Sequence, residues 1–81
     1  MKWYVYILEC KDKSLYTGIA KDVEKRFLEH KSGKGSKYVC SRGARRIVHT
    51  ESFRTKGRAL KREYEIKSLS RQEKLKLIKM S

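Results

Sequence analysis

Glu63 occupies the position in this sequence that most strongly suggests chemistry. Its predicted helix carries four apolar residues on one side, namely Ala59, Leu60, Tyr64 and Ile66. At about 100° per residue, Glu63 falls near the centre of that apolar arc. Burying an unpaired charge costs several kcal/mol, so a carboxylate there must be paired, protonated or bound to a metal ion. Two interpretations stay open: a structural ion pair with Arg26, or a metal site.

Arg26 and His30 are two further residues whose types and spacing suggest chemistry. They are four residues apart in a predicted helix that begins at Val23, with Asp22 as its N-cap. Val23 and Phe27 have the same spacing, and these side chains all fall within about 100° of arc. An arginine and a histidine therefore share or border the face that packs on the rest of the protein. An ordinary surface helix would turn both outward.

Tyr4, Tyr6 and Tyr16 stand on two predicted strands, over residues 3–10 and 15–19. Core packing is the commoner role of a tyrosine in a strand. Phenols gathered on one face beside the arginine and the carboxylate would instead form a reactive cluster. A two-residue hairpin loop would place Tyr6 and Tyr16 on opposite faces of the sheet. A common site therefore requires a three- or five-residue loop, or a bulge.

The elements that must position these side chains follow the order ββααβαα. The first strand is apolar on both faces, so it is predicted to be central and covered on both sides. After the first helix, which should end near Gly33, four more elements are predicted. They are a helix over 37–42 capped by Ser36, a strand over 45–53, a helix over 56–69 capped by Thr55, and a last helix with a Ser70–Glu73 capping box. This order predicts an α+β fold, a small three-stranded antiparallel sheet flanked by helices, with residues 1–81 as one domain.

The chain is strongly basic, because 22 Lys and Arg against nine Asp and Glu give a net charge of +13 in 81 residues. Such a charge favours a polyanionic partner, above all nucleic acid. The alternative is a basic surface that has no partner. No segment approaches the roughly 20 apolar residues of a membrane span or resembles a secretory signal. We therefore expect no membrane partner and a cytoplasmic location.

Cys10 and Cys40 are too few for a disulfide scaffold, and they fit a reduced cytosolic protein in which both are small core residues. A zinc site that joins them to His30 and His49 is not expected. Zinc ligands usually include a closely spaced pair, and these four residues contain none.

The residues around the second strand resemble the GIY-YIG nuclease superfamily. The resemblance rests on Tyr16-Thr17-Gly18 followed by Arg26 and His30, and on the preceding Tyr4-Val5-Tyr6. Tyr4 stands where the family name has Gly, and Thr17 stands where it has Ile. The match covers nearly the whole chain if Glu63 is the metal-binding glutamate of the family. The chain looks most like the small members that consist of the nuclease module alone.

The resemblance implies hydrolysis of DNA phosphodiester bonds with one divalent ion, Mg²⁺ or Mn²⁺, held by Glu63. It also implies that Arg26 grips the scissile phosphate and that Tyr6 and Tyr16 position or deprotonate the attacking water. An unperturbed tyrosine has a pKa near 10, so His30, whose pKa is lower, is an alternative base. The choice among the three stays open.

The same resemblance implies that Gly18 leaves room for the backbone of the substrate. Six cationic residues are expected at the nucleic-acid surface, namely Lys21, Lys34, Lys37, Arg42, Arg45 and Arg46. Those from Lys34 onward form the densest cationic run, and we expect them to be barely offset by acids, although a solvated loop is the alternative.

Three functions remain open at this point. The first is a DNA endonuclease module of repair or recombination, and the second is a binding module that kept the fold and lost cleavage. The third is a small basic protein that binds structured RNA. Many nucleases of this kind add a separate DNA-reading domain, so a protein partner that supplies specificity is a further expectation.

Overall fold

The computed structural model describes residues 2–35 and 37–80. Three strands and four helices follow one another in the predicted order. They are β1 (Trp3–Cys10), β2 (Leu15–Ala20), α1 (Val23–Lys31), α2 (Lys37–Arg42), β3 (Ala44–Phe53), α3 (Lys56–Lys67) and α4 (Arg71–Lys79). The strands form one antiparallel sheet in the order β2-β1-β3. The predicted α+β class with a three-stranded antiparallel sheet is therefore confirmed.

β1 is the central strand because both of its faces are apolar. Val5 and Ile7 pack on one side of the sheet, whereas Tyr6, Leu8 and Cys10 pack on the other. All five side chains are at most 2% exposed. Fully burying a large apolar side chain contributes about 1.5–3 kcal/mol, so this strand holds the two halves of the core together.

The β1–β2 hairpin closes with a three-residue loop. The Cys10 amide donates to the Ser14 carbonyl at 2.9 Å, which leaves three residues between them. Lys13 has a φ of +71°, the left-handed conformation that typically ends a three-residue hairpin loop. The odd length keeps Tyr6 and Tyr16 on the same face, as a common site requires.

The helices cover the two faces of the sheet in pairs. On the Tyr6 face, α1 and α2 contribute Val23, Phe27 and Val39. On the opposite face, α3 and α4 contribute Ala59, Ile66, Leu77 and Ile78. The sheet is therefore the middle layer of three, which explains why its central strand has no polar face.

The predicted apolar arc of α3 is only partly right. Ala59 and Ile66 are fully buried, but Leu60 is 44% exposed and Tyr64 is 66% exposed. The buried stripe of α3 is narrow, because apolar residues of α4 cover the adjoining part of the sheet. Leu60 and Tyr64 consequently face solvent, and Glu63 lies half-buried at the border of the stripe.

The predicted helix starts agree with the structure wherever it describes them. Asp22 caps α1, Thr55 caps α3, and Ser70 forms a capping box with Glu73 at α4. Ser36, the predicted cap of α2, lies outside the described residues. These caps satisfy backbone amides that would otherwise have no partner, and they fix where each helix begins.

Cys10 is a free and buried thiol, as predicted, while the side chain of Cys40 lies outside the described part of the structure. Among the helices described, none combines the length and the apolar character needed to cross a bilayer.

Candidate active site

A buried hydrogen bond between two of the predicted residues forms the centre of the site. Tyr6 Oη and His30 Nε2 lie 2.9 Å apart, and the residues are 2% and 3% exposed. β1 supplies Tyr6, and the last turn of α1 supplies His30. Tyr16 of β2 lies beside both, with its ring centroid 6.3 Å from that of Tyr6 and 5.4 Å from that of His30. The fold thus gathers the two predicted tyrosines and the histidine into one aromatic cluster.

Gly18 allows the Tyr6 ring to lie across β2. A Cβ atom at position 18 would be 2.7 Å from Tyr6 Oη, 2.8 Å from Tyr6 Cζ and 3.1 Å from Tyr16 Cε2. Such an approach is too close for any side chain, so only glycine fits. The space that glycine leaves holds the tyrosine hydroxyl. A contact between Gly18 and the substrate backbone stays a prediction.

We expect Gly18→Ala to push the Tyr6 hydroxyl away from His30 and to cost about 1–3 kcal/mol of stability, because the ring lies in a packed core. Gly57→Ala, in the first turn of α3, is the matched control, since an added Cβ meets nothing within 4 Å there. That change should stabilise the helix by about 0.5–1 kcal/mol. Urea unfolding measures both. A Gly18→Ala protein as stable as the wild type would contradict the close approach.

Gly35 is a site residue that the sequence analysis did not identify. A Cβ atom at position 35 would collide with the His30 imidazole and would come within 2.6 Å of its Cε1 atom. The segment after α1 therefore closes against His30 and contributes to its burial. The sequence carries little signal for this contact, because the glycines at 33 and 35 are also typical of a flexible loop.

Arg26 lies one turn before His30 on α1, and its side chain is 47% exposed. Arg26 Nε lies 3.6 Å from Glu29 Oε1. The guanidinium charge still reaches the buried pair, because it contributes to lowering the pKa of both Tyr6 and His30. Arg26 is therefore close enough to act on this pair while remaining accessible to a substrate.

Burial moves the pKa values of the two hydrogen-bonded groups apart. It raises the pKa of Tyr6 well above the ordinary value of 10.0, and Tyr16 adds to this effect while Arg26 opposes it. Burial and the Arg26 charge lower the pKa of His30 below 6.5, against an opposite effect of Glu29. At neutral pH Tyr6 is therefore an un-ionised O–H donor. Neutral His30 can accept that bond through Nε2 in its Nδ1–H tautomer.

Glu63 acts on the same cluster from α3, because its charge contributes to raising the pKa of Tyr6. Its side chain is 19% exposed, and Oε2 lies 3.4 Å from Lys67 Nζ one turn further along the helix. No ion pair joins Glu63 to Arg26 in the described part of the chain. Among the described residues each has a partner on its own helix, so no salt bridge between helices is needed.

Glu63 is a lone candidate metal ligand. Across residues 2–35 and 37–80, no three His, Cys, Asp or Glu side chains are grouped so as to hold a metal ion. Mg²⁺ and similar hard cations keep several waters and bind through one or two carboxylates together with substrate phosphates. A single partly exposed carboxylate fits such an ion, and Glu63 would be its protein ligand.

A charge network that the sequence analysis missed fixes α3 against β3. Arg62 Nε donates to Glu51 Oε1 at 2.8 Å, and Arg62 Nη2 donates to Glu51 Oε2 at 3.2 Å. The same carboxylate contacts His49 Nε2 at 2.7 Å. A two-point guanidinium contact is rigid as well as strong. Because Arg62 directly precedes Glu63, this network sets the position of Glu63 relative to the sheet.

Three of the arginines predicted to bind nucleic acid are paired with acids. Arg46 Nε lies 3.0 Å and Arg45 Nε lies 3.7 Å from Glu9 Oε1, and Arg42 Nη1 lies 3.6 Å from Asp12 Oδ2. The expectation that these charges are barely offset was wrong. The acids are distant in sequence and meet the arginines only because the β1–β3 pairing and the hairpin loop bring them together.

The lysines predicted to bind nucleic acid are all exposed, namely Lys21, Lys34 and Lys37. Arg42 stacks on the Tyr38 ring at 4.3 Å, and the centroid of that ring lies 6.0 Å from that of Tyr16. This series of stacked groups connects the basic surface of α2 to the aromatic cluster. On this side Arg42, one of the residues predicted to bind nucleic acid, is therefore contiguous with the aromatic cluster.

The cluster of Tyr6, Tyr16 and His30 lies on one face of the three-stranded antiparallel sheet. A family model described as the GIY-YIG catalytic domain matches residues 2–76. The chain therefore belongs to the GIY-YIG family, and the resemblance seen in the motifs is confirmed.

Its relatives include proteins named UPF0213. A UPF0213 protein of Staphylococcus saprophyticus is 60% identical over 77 residues, which cover 95% of this chain and 94% of that protein. The solution NMR structure of a UPF0213 protein from Bacillus halodurans matches with a TM-score of 0.64 and 51% identity, covering 100% of this chain and 86% of that one. The solution NMR structure of a protein from E. faecalis matches with a TM-score of 0.66 and 37% identity, covering 99% and 85%.

Proposed function

We propose that this domain is an endonuclease that hydrolyses DNA phosphodiester bonds with one Mg²⁺ or Mn²⁺ ion. The buried Tyr6–His30 hydrogen bond, with Arg26 and Glu63 acting on it, is the observation that carries the proposal. Simple binding of nucleic acid needs no buried phenol–imidazole pair with shifted pKa values. Family membership and the net charge of +13 support nucleic acid as the substrate.

The residues divide the chemistry among them. Arg26, which is accessible, binds the scissile phosphate through two N–H groups and stabilises the charge that develops on it. Half-buried Tyr16 orients the attacking water. Tyr6 relays a proton from that water to neutral His30. The Tyr6 hydroxyl accepts a proton from the water while it donates its own proton to His30 Nε2, so no free phenolate forms.

Glu63 would hold the divalent ion, which when bound supplies charge stabilisation for the departing 3′ oxygen. Water and substrate phosphate would complete the coordination. Lys67 must then release Glu63, and this costs little because exposed ion pairs contribute only about 0.2–1 kcal/mol.

The Glu63–Lys67 ion pair favours a second candidate, a module that binds DNA or structured RNA without cleaving it. In that module the Lys67 ammonium, 3.4 Å from Glu63, takes the place of the metal ion. Both candidates predict binding, so cleavage and the form of the nucleic acid distinguish them. A preference for A-form duplex would identify RNA as the ligand.

Incubation with branched, nicked and plain DNA duplexes in Mg²⁺, in Mn²⁺ and in chelator tests the proposal. Cleavage that requires the metal supports the endonuclease, whereas binding of all three substrates without cleavage supports the second candidate. Selective cutting of branched or nicked duplex would support a role in repair or recombination. Equal cutting of all three would support a protein partner that supplies specificity.

We also propose a cytoplasmic location. Cys10 is a free thiol inside the core, which suits a reducing compartment, and DNA is accessible in that compartment.

Cleavage should depend on pH through His30. The proton acceptor must be neutral, and its pKa lies below 6.5, so kcat/KM should be constant near pH 7 to 8 and should fall only below pH 6.5, as the pH passes through the lowered pKa of His30. Because the folded pKa is depressed, this group also contributes stability that is present above about pH 6.5 and is lost as pH falls through the folded pKa. A profile measured from about pH 5 to 10 checks this expectation. A rate that keeps rising through the alkaline range would assign the base to a tyrosine instead of His30.

Binding to duplex DNA should be mainly electrostatic. With about four phosphate contacts, log K should fall with log salt at a slope of roughly −3.6. Fluorescence anisotropy of a labelled duplex in chelator, at several salt concentrations, measures this slope. An affinity that does not change with salt would refute the electrostatic account.

A further inference from the structure

A cavity of about 330 Å³ opens beside Arg26, where β2 leads into α1. Its lining combines one aromatic ring with five charged residues, namely Trp3, Lys21, Asp22, Lys25, Arg26 and Glu29. The volume lies at the lower end of the range for ligand sites. Apart from Arg26 and Lys21, none of these residues was singled out as part of a nucleic-acid site from the sequence.

The cavity lining carries a small excess of positive charge, because three cations (Lys21, Lys25 and Arg26) stand against two acids (Asp22 and Glu29). Asp22 Oδ1 accepts from the Lys25 amide at 3.0 Å as the cap of α1. Glu29 Oε1 lies 3.6 Å from Arg26 Nε. Within the described part of the chain, the ammonium groups of Lys21 and Lys25 have no acidic partner. Both are therefore available to an anion that enters the cavity.

Trp3 holds two ammonium groups at the rim of the cavity. Lys21 Nζ lies 5.2 Å and Lys56 Nζ lies 5.3 Å from the centroid of its ring. Each cation–π contact contributes about 0.5–1 kcal/mol at an exposed site. The contact with the ring keeps the Lys21 ammonium group next to the cavity, where it can meet a phosphate.

Arg26 connects this cavity to the reactive centre, because it lines the cavity and its charge also reaches Tyr6 and His30. A strand whose scissile phosphate meets Arg26 must place its next phosphate close by. We infer that the cavity binds the phosphate that neighbours the scissile one in a DNA strand, through Lys21 and Lys25, with Trp3 as its wall. The inference rests on the proposed function and adds a contact that orients the strand.

Trp3 is the sole tryptophan of the chain, so its emission reports on this cavity directly. The experiment titrates the full chain with a short plain DNA duplex in chelator and follows both Trp3 emission and the anisotropy of labelled duplex. The two signals should saturate together. The double variant Lys21→Gln/Lys25→Gln should lose most of the change in emission, bind several-fold more weakly, and show a salt slope smaller in magnitude by about 0.9, the value for one phosphate contact.

The matched control is Lys76→Gln/Lys79→Gln, which removes the same charge from the last turn of α4, where neither residue lines the cavity. It should leave the slope and the change in emission unchanged. Equal losses in the two double variants would overturn the inference, as would duplex binding that leaves Trp3 emission constant. Inorganic phosphate that saturates the Trp3 signal as tightly as the duplex would assign the cavity to a free anion and would also overturn it.

Wild-type cleavage in Mg²⁺, measured in parallel, separates this inference from the proposed function. A Trp3 response without any cleavage would count against the endonuclease and in favour of the cavity as a phosphate site. Cleavage without a Trp3 response would count against the cavity alone.

Discussion

Replacing Glu63 with glutamine is expected to reduce metal-dependent cleavage by about 10²-fold or more and to leave the fold intact. A bound metal ion stabilises developing charge by several kcal/mol, and each 1.36 kcal/mol corresponds to a factor of ten in rate. The carboxylate contacts Lys67, which is 55% exposed, so the lost ion pair costs only about 0.3–0.5 kcal/mol. For a domain of this size the melting temperature should fall by no more than about 2–4 °C.

The control for that variant is Glu65→Gln on the same helix, which removes the same charge from an exposed pair with Arg62. It should change cleavage by less than about twofold. Melting curves without divalent ions and single-turnover cleavage with Mg²⁺ measure the two effects. If Glu63→Gln lowers the melting temperature by many degrees, Glu63 is a structural residue and the metal site loses its main support.

Arg26→Lys should reduce cleavage by about 10²-fold while weakening duplex binding by less than about threefold. Lysine keeps the charge and can still pair with Glu29, but it lacks the planar fork that contacts two phosphate oxygens at once. A contact that strengthens as charge develops acts on the rate more than on ground-state binding.

Arg58→Lys makes the same exchange at an exposed arginine in the first turn of α3 and should leave both quantities near the wild type. Anisotropy in chelator gives the affinity, and cleavage at saturating protein gives the rate. Equal losses of binding and cleavage in Arg26→Lys would show that Arg26 is one more phosphate anchor.

Local signals in the sequence were sufficient for the secondary structure. Asp22, Thr55 and Ser70 mark helix starts because a capping side chain bonds to amides only a few residues away. The two apolar faces of β1 indicated a central strand, and the parity argument specified an odd loop. Each of these inferences depends on neighbours in the chain, so no knowledge of the tertiary arrangement was needed.

The partners of charged residues could not be predicted in the same way. Glu9 meets Arg45 and Arg46 only through the pairing of β1 with β3. Glu63 was placed at the centre of an apolar arc, but the neighbouring helix α4 decides which side of α3 is covered. Contacts of this kind depend on how elements pack, and a periodic pattern restricts that packing only loosely.

The glycine that packs on His30 and the wall of the cavity were missed for a related reason. Gly35 is indistinguishable from an ordinary loop glycine until α1 and the following segment are placed together. Trp3 begins an apolar strand, and this context gives no sign of a charged neighbour. Its contact with Lys56 joins residues far apart in the sequence, and no local rule anticipates it.

The three-residue loop of the first hairpin also restricts how the length of this chain can change during evolution. An insertion or deletion of one residue there would exchange the faces of β2, carrying Tyr16 away from His30 and bringing Thr17 into its place, unless a bulge absorbs the change. A change of two residues keeps each side chain of β2 on its original face of the sheet. Mutations that alter the length of this hairpin are therefore compatible with an intact cluster only in even steps.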